Sequence, residues 1–330
     1  MNWKNVRVVV TGAGGFIGSH LTEELARRGA KVRALTHYNS RGHWGFLEDL
    51  DQALKPRVEI VAGDVTDPNC MAELIEGAEA VFHLAALIAI PYSYAAPASY
   101  VATNVQGTLN VLEACRRHRV RKLVHTSTSE VYGTARFVPI TEEHPLQAQS
   151  PYAATKVAAD QLALSFEKSF GLPVAICRPF NTYGPRQSAR AVIPSIVSQL
   201  LQGRPRLKIG STAPVRDFNF VTDTVGGFLA IAGAKAAVGE VINIGSGRGV
   251  TVGATARLLM KLTGRRVPIL TDRARMRPER SEVMRLICGN KKALRLTGWK
   301  PRVGLEQGLA RTVAYVRSRS ADYKSGLYNV

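Results

Sequence analysis

Residues 6–36, VRVVVTGAGGFIGSHLTEELARRGAKVRALT, decide the fold. Val6 to Val10 is an apolar, β-branched run, and Gly12, Gly15 and Gly18 follow at once. An amphipathic segment then runs to Gly29, and a second apolar run closes the stretch. Strand, glycine turn, helix and strand in that order make a βαβ unit. Glycines there permit a tight turn, close backbone approach to a pyrophosphate and close helix–strand packing, while the helix N-terminus supplies positive potential. GxxGxxG spacing alone is a moderate signal. Directly after a strand and before a helix it reads as a dinucleotide-binding loop rather than a plain tight turn.

The alternation continues outward from this unit. VEIVAGDV is a strand, NCMAELIEG a helix, AVFHLAA a buried strand, VATNVQGTLNVLEACRRH a long helix and KLVHTSTS a strand. The helix SPYAATKVAADQLALSFEKSFG and the strand PVAICRPF complete it. Continuous Val/Ile/Leu strands separated by helices predict a parallel sheet covered on both faces. The expected fold is therefore α/β: a Rossmann-type doubly wound sheet over residues 1–180, with a smaller mixed α/β substrate domain over 181–330. After Asn181 the chain reads as turn-rich NTYGPRQ, a helix AVIPSIVSQLLQG, and short strands LKIG and RDFNFVT. A helix TDTVGGFLAIAGA, a strand EVINIGSG and two helices joined at Trp299-Lys300-Pro301 follow. No linker separates the halves, so the second is expected to be woven back into the first, with residues 219–245 returning to it.

Composition narrows the function. The 330 residues are 45% hydrophobic and 21% charged, which fits a globular chain with a full core. The longest apolar run, AVFHLAALIAI, is broken by His83 and stopped by Pro91, so no membrane partner is expected. The N-terminus enters its first strand without a cleavable leader, and the cytoplasm is the expected compartment. Cys70, Cys115, Cys177 and Cys288 show no CxxC pairing, and the seven histidines no ligand spacing, so neither disulfides nor a metal is expected. The net charge of +19 is unevenly placed: residues 1–180 carry 18 Lys+Arg against 17 Asp+Glu, residues 181–330 carry 26 against 8. A pocket for an anionic small molecule and a nucleic-acid surface both fit this basic half, as does a solvated face without a partner. No aromatic residues interleave with its cations as a single-strand platform would need, so a nucleic-acid-binding Rossmann protein is the non-enzyme alternative and not the expectation.

Two polar stretches carry candidate chemistry. Tyr152 and Lys156, in PYAATK, lie four apart on a predicted helix and share a face. An ammonium beside a phenol favours the phenolate, so the pair predicts a tyrosine brought down from about 10 to serve as a general base. STSEVYG, residues 127–133, ends a predicted strand with Thr128, Ser129 and Glu130. The second strand ends ALTHYNSR without the acidic residue that favours NAD, and the nearby Arg41 could receive a 2′-phosphate, so NAD and NADP both stay open. Asp64, in GDV, stands where a carboxylate meets an adenine amino group or serves the start of a helix.

TGAGGFIG, GDV, HLAA, STSEVYG, YAATK, RPFNTYGPRQ and RDFNFVTD occur in the order found in the extended short-chain dehydrogenase/reductases, and the chain resembles their nucleotide-sugar epimerases, 4,6-dehydratases and decarboxylases from Val6 to about Lys300. The resemblance implies a tightly bound NAD or NADP that is not consumed, held by Gly12, Gly15, Phe16, Ile17, Gly18, Arg41, Asp64, Val65, Leu84, Ala85, Ala86 and Asn104 with Tyr152 and Lys156. It implies a nucleoside-diphosphate sugar as substrate, bound by Asn181, Arg186, Arg216, Arg277, Arg280 and Arg285; arginine's planar fork suits phosphate oxygens. Thr128 matches the hydroxyl that bonds the sugar 4-OH, Tyr152 the base that removes its proton, and Lys156 the residue that holds the nicotinamide ribose. His83 reads as a packed strand residue near the cofactor. The helices around Asn104–His118 and Tyr152–Phe170 resemble those that pair in family homodimers.

Ser129 and Glu130 then become the discriminating pair. The 4,6-dehydratases acting on dTDP-glucose carry Asp-Glu there: the glutamate removes the C5 proton and the aspartate protonates the departing C6 hydroxyl. Here Glu130 keeps the base position while Ser129 replaces the acid, so a relay or a proton shuttle by Glu130 itself is implied. A 4-epimerase needs neither residue. Thr-Ser-Glu resembles two groups better: UDP-glucuronate decarboxylases, which add an arginine from the C-terminal domain, and the 4,6-dehydratases of the legionaminic acid pathway. The wider context matches the second group, so the expected function is NAD(P)-dependent dehydration of a nucleotide-linked N-acetylglucosamine, by C4 oxidation, C5–C6 water loss and hydride return. Epimerase and decarboxylase are the alternatives.

Overall fold

The computed structural model describes residues 1–323. Twelve strands are formed: β1 Arg7–Thr11, β2 Lys31–His37, β3 Val58–Gly63, β4 Ala80–His83, β5 Lys122–Thr126, β6 Val174–Pro179, β7 Asn181–Tyr183, β8 Leu207–Ile209, β9 Val215–Phe220, β10 Val241–Ile244, β11 Gly249–Thr251 and β12 Ile269–Thr271. Seven make one wholly parallel sheet in the order β10-β6-β5-β4-β1-β2-β3. The apolar runs explain this layering. Alternate side chains of one strand enter opposite cores: Val8 and Val10 join Leu21, Leu25, Phe82 and Phe228, while Val9 joins Met71, Leu74, Val111 and Phe166. A strand with no polar face can only sit in a sheet covered on both sides.

The strand order reverses between β1 and β4, and the loops after those two strands meet there. Such a switch point opens a crevice at the carboxyl ends of the strands. The seventh strand, β10, comes from beyond residue 181 and pairs with β6. The helix Val221–Gly233 leads into it and buries Val225, Phe228 and Ile231 in the same core as Val8. A separate core holds the helices Val192–Leu201, Val252–Thr263 and Leu305–Ser318 over the three-stranded sheet β11-β9-β7. Phe16, from the glycine loop, packs against that second core.

Two local differences from the sequence reading have clear causes. Residues expected to be turn from Asn181 onward first form β7, because Tyr183 is fully buried against Phe218 and Phe220 and its hydroxyl donates to Leu305 O at 3.1 Å. The long helix predicted over 101–118 begins earlier, at Pro97, and runs as a π-helix over Val101–Gln106 before resuming as α-helix Gly107–Arg117. Widened turns of this kind commonly sit at functional sites. Here the widening carries Asn104, which is completely buried. Among the described residues no helix is long and apolar enough to cross a membrane.

Candidate active site

The glycine loop is built by exclusion of side chains. Gly12 has φ +69°, and a Cβ there would lie 2.8 Å from Ala85 N; one on Gly18 would collide with Gly12 O. The loop can therefore press against both the HLAA segment and its own helix only because these positions are glycine. Thr11 completes the join: its Oγ1 accepts from the backbone N–H of Leu84 and of Ala85, each at 3.1 Å. The helix Phe16–Arg27 starts at Gly15 with no capping side chain and no acidic residue in its first turn. Its first N–H groups and positive dipole end stay available to an anion. Gly18→Ala should force the helix off the loop, an overpacking cost of about 1–3 kcal/mol. The expected result is weakened NADH binding in a fluorescence titration; unchanged affinity would count against the loop as the cofactor cradle.

Around the cradle the predicted residues divide. Ile17 packs into the first core, and Val65 is buried, with Asn110 donating to its carbonyl at 2.9 Å. Asp64 does not cap the next helix; Asp67 does, accepting from Asn69 N and Cys70 N. Asp64 instead bonds Thr66 N and Thr66 Oγ1 at 2.8 and 2.9 Å. Arg41 is exposed in a turn organised by Asn39, and its guanidinium bonds no described residue. Asn104 holds Leu87 through both backbone groups, at 2.8 and 3.0 Å, and donates to Thr155 Oγ1 at 3.1 Å. It thus joins the loop after β4 to the helix of Tyr152. His83 bonds Thr11 Oγ1 and Thr108 Oγ1 through its two ring nitrogens, and burial with His125 and Lys156 nearby holds it neutral.

Thr128, Ser129, Glu130, Tyr152 and Lys156 are brought together and are all buried. Thr128 caps the helical turn Ser129–Tyr132, accepting from Glu130 N at 3.2 Å. The helix Pro151–Phe170, capped by Ser150, presents Tyr152 and Lys156 one turn apart. Its electrostatics differ from the sequence expectation. Burial raises the Tyr152 phenol, the negative charges of Glu130 and Asp160 act the same way, and a hydrogen bond with Thr128 opposes them. Lys156 does not offset this: burial brings its own ammonium down to about 8, against the opposing pull of Asp160. The spacing placed the pair on one face correctly, but spacing carries no information about desolvation. No acceptor among the described residues is hydrogen-bonded to Lys156 Nζ.

The second half contributes arginines to this centre. Arg277 Nη1 lies 3.7 Å from Glu130 Oε2 and is buried without a hydrogen bond. Arg216 is buried, donates to Glu282 Oε1 at 2.9 Å, and feels both the attraction of Glu130 and the repulsion of Arg277. Asn181 Oδ1 is buried and unbonded. Arg280 and Arg285 are exposed. Arg186 sits elsewhere: it donates to Glu23 Oε2 at 2.8 Å and to Ser19 Oγ at 3.4 Å, on the glycine-loop helix. It ties the loop after β7 to that helix instead of joining Arg216 and Arg277.

Three groups escaped the sequence reading. Asp160, one turn beyond Lys156, accepts from Ser127 Oγ at 2.6 Å and from Arg178 Nε and Nη2 at 3.1 and 2.8 Å, all fully buried. Arg178 donates onward to Tyr132 Oη at 3.0 Å, and Tyr132 donates to Asn243 Oδ1 at 2.8 Å. The loop after β5, the helix of Tyr152 and Lys156, β6 and β10 are thus fixed by one polar network. Gln149 accepts from Thr134 N at 2.6 Å and donates to Arg280 O at 2.9 Å, while Ser281 Oγ bonds Gln149 O and Tyr94 Oη, each at 2.6 Å. That chain holds the Arg277 segment against the loop of Glu130.

Comparison with known proteins gives the family. A family model described as GDP-mannose 4,6 dehydratase matches residues 9–312. A dTDP-glucose 4,6-dehydratase of Actinoplanes sp. is 34% identical over 321 residues, covering 95% of this chain and 98% of that one. Among solved structures, a dTDP-glucose 4,6-dehydratase from Streptomyces venezuelae with NAD bound superposes with a TM-score of 0.88 at 32% identity, over 97% of this chain and 99% of that one. A UDP-N-acetylglucosamine 4-epimerase from Methanobrevibacter ruminantium, in complex with UDP-N-acetylmuramic acid, superposes with a TM-score of 0.86 at 29% identity, over 96% and 99% of the two chains.

Proposed function

We propose, for a chain that belongs to the NAD-dependent nucleotide-sugar epimerase and dehydratase family, that it dehydrates a nucleoside-diphosphate-linked N-acetylglucosamine across C5 and C6. The observation that carries this reading is the buried carboxylate of Glu130, next to Thr128 and close enough for its charge to act on Tyr152. An epimerase has no task for it. NAD is the cofactor we assign, as in the Streptomyces venezuelae dehydratase on which the chain superposes. When bound, the nicotinamide would supply hydride transfer.

The residues divide the remaining work. The Thr128 hydroxyl bonds the sugar 4-OH, and Tyr152 accepts its proton. A phenol raised by burial is a poor base until a cation adjoins it, and the hydrogen bond with Thr128 is the one favourable influence the chain itself supplies. Lys156 holds the nicotinamide ribose. Once C4 is a ketone, the C5 proton is acidic and Glu130 removes it. Ser129 is no acid at neutral pH, so Glu130 returns that proton to the leaving C6 hydroxyl and one water departs. C6 then regains the hydride lost from C4, and C5 the proton that Tyr152 took from the 4-OH, relayed by Glu130. Arg216 and Arg277 bind the diphosphate with Asn181, which draws Arg277 from Glu130 as substrate enters.

A specific observation favours a second reading. An arginine from the second half faces the Ser-Glu pair at 3.7 Å, as a UDP-glucuronate decarboxylase would need. Mass spectrometry of the protein incubated with UDP- and GDP-N-acetylglucosamine and UDP-glucuronate separates these. Loss of one water from either acetylated sugar is expected. Carbon dioxide loss from the glucuronate would replace this reading with the second, and an unchanged mass with a shifted retention time would make the chain an epimerase.

A further inference from the structure

The positive charge of the second half exceeds anything a diphosphate requires, and part of it is concentrated. Residues 168–216 contain no Asp or Glu, and neither do residues 241–271. The fold brings these two acid-free stretches together. Helix Val192–Leu201 packs on helix Val252–Thr263, and the segments that follow each helix pair as β8 and β12, with Leu207 N donating to Pro268 O at 2.9 Å. Arg265 lies alongside Gly203, its Nη1 3.1 Å from where a Cβ would stand. Arg204, Arg206, Lys208, Arg265 and Arg266 therefore share one exposed edge, and none is ion-paired with a described residue. The nearest carboxylate along β12, that of Asp272, is bonded to Arg275.

Leu270 gives this edge its second character. It is 42% exposed and stands in register with Lys208 on the neighbouring strand. An aliphatic side chain among unpaired cations suits an interfacial layer of anionic headgroups, where the cations meet phosphate and the apolar group dips below it. Nucleic acid fits less well. The exposed large aromatics among the described residues are Tyr38, Trp44, Tyr92, Tyr94, Phe137 and Phe170, all before residue 181, so this edge offers no base a stacking partner. No described helix can span a bilayer, so attachment here would be peripheral, a mode on which the lack of a long apolar run, the ground for expecting no membrane partner, has no bearing.

We propose that the β8–β12 edge is a docking surface for an anionic phospholipid bilayer. Each cation at such a surface contributes about fivefold in partition, and the effect is screened by salt. The test is co-sedimentation of the full chain with vesicles of one part phosphatidylglycerol to two parts phosphatidylcholine, against pure phosphatidylcholine. Binding is expected only to the anionic vesicles. Arg206→Glu with Arg266→Glu should lower partition by about a hundredfold or more, since each reversal both removes and opposes a contact. Lys291→Glu with Arg295→Glu changes net charge equally but lies on the helix Lys291–Thr297 against the large sheet, and should retain most binding. Equal loss in both variants would reduce the effect to net charge and overturn the proposal. So would absence of binding to anionic vesicles, or tighter retention of the protein by duplex DNA at the same salt.

Discussion

Glu130→Gln is expected to leave the sugar oxidised at C4 and stranded there. Absorbance of the reduced nicotinamide should accumulate on adding substrate, while release of dehydrated product falls by about a hundred- to ten-thousandfold, the range for loss of a positioned acid/base. The two events separate because Thr128, Tyr152 and Lys156 keep their places: glutamine is isosteric, and the cap from Thr128 is made to the backbone N–H of residue 130, not to its side chain. Folding should hardly change. Arg277, which loses its counter-charge, is a quarter exposed and can turn to water. Normal turnover by the variant would remove Glu130 from the mechanism and reopen epimerisation. Loss of both absorbance change and product would mean instead that the carboxylate supports oxidation itself.

Asp160→Asn should produce the largest loss of stability. It removes the only carboxylate among the described residues bonded to the buried Arg178, and breaking one partner from such a pair costs about 3–5 kcal/mol. The pH dependence has a definite sign. Burial pushes the Asp160 carboxyl up, but the His125 ring 3.4 Å away, the charge of Arg178 and the hydrogen bond from Ser127 outweigh it and hold it low. Its stabilisation is thus present above the ordinary carboxyl range and lost as pH falls through the depressed value. Lys156 works the other way. Its ammonium is disfavoured in the fold, at about 8, so stability rises with pH from there to the unfolded lysine value. Without Asp160 that lysine drops further, adding a deficit below about 8 that is absent above it. The gap between the two proteins in urea melts should therefore narrow as pH is raised past 8. A gap independent of pH would mean that Asp160 does not act on Lys156.

The parts of this molecule legible in the sequence are those written as local periodicity. Val6–Val10, the three glycines and the helix after them announce a βαβ unit because strand burial and backbone approach restrict residue type position by position. Tyr152 and Lys156 share a face because helix geometry leaves no choice. What could not be read depends on distant partners. Arg186, which the family resemblance groups with the substrate-binding residues, is bonded to Glu23, a pairing no local pattern encodes. The direction of the Tyr152 shift required its burial to be known. Asp160 and Arg178 did leave a trace: a charge inside the apolar run VAICRPF must be paired if that run is a buried strand. An aspartate one turn beyond Lys156 is the natural candidate.

The place of β10 in the sheet constrains how the chain is born. As the polypeptide leaves the ribosome, β1 to β6 are complete some sixty residues before the strand that flanks them, as the intervals between Pro179 and Val241–Ile244 indicate. Until Val221–Gly233 and β10 arrive, β6 presents an unpaired edge and the faces of Val8 and Phe82 lack the cover of Phe228. Exposed edges and apolar faces are what aggregation recruits. A chain that ends between Pro179 and Val221 is therefore expected to aggregate, not to work as a smaller protein, because it leaves the β6 edge and the Val8–Phe82 face uncovered.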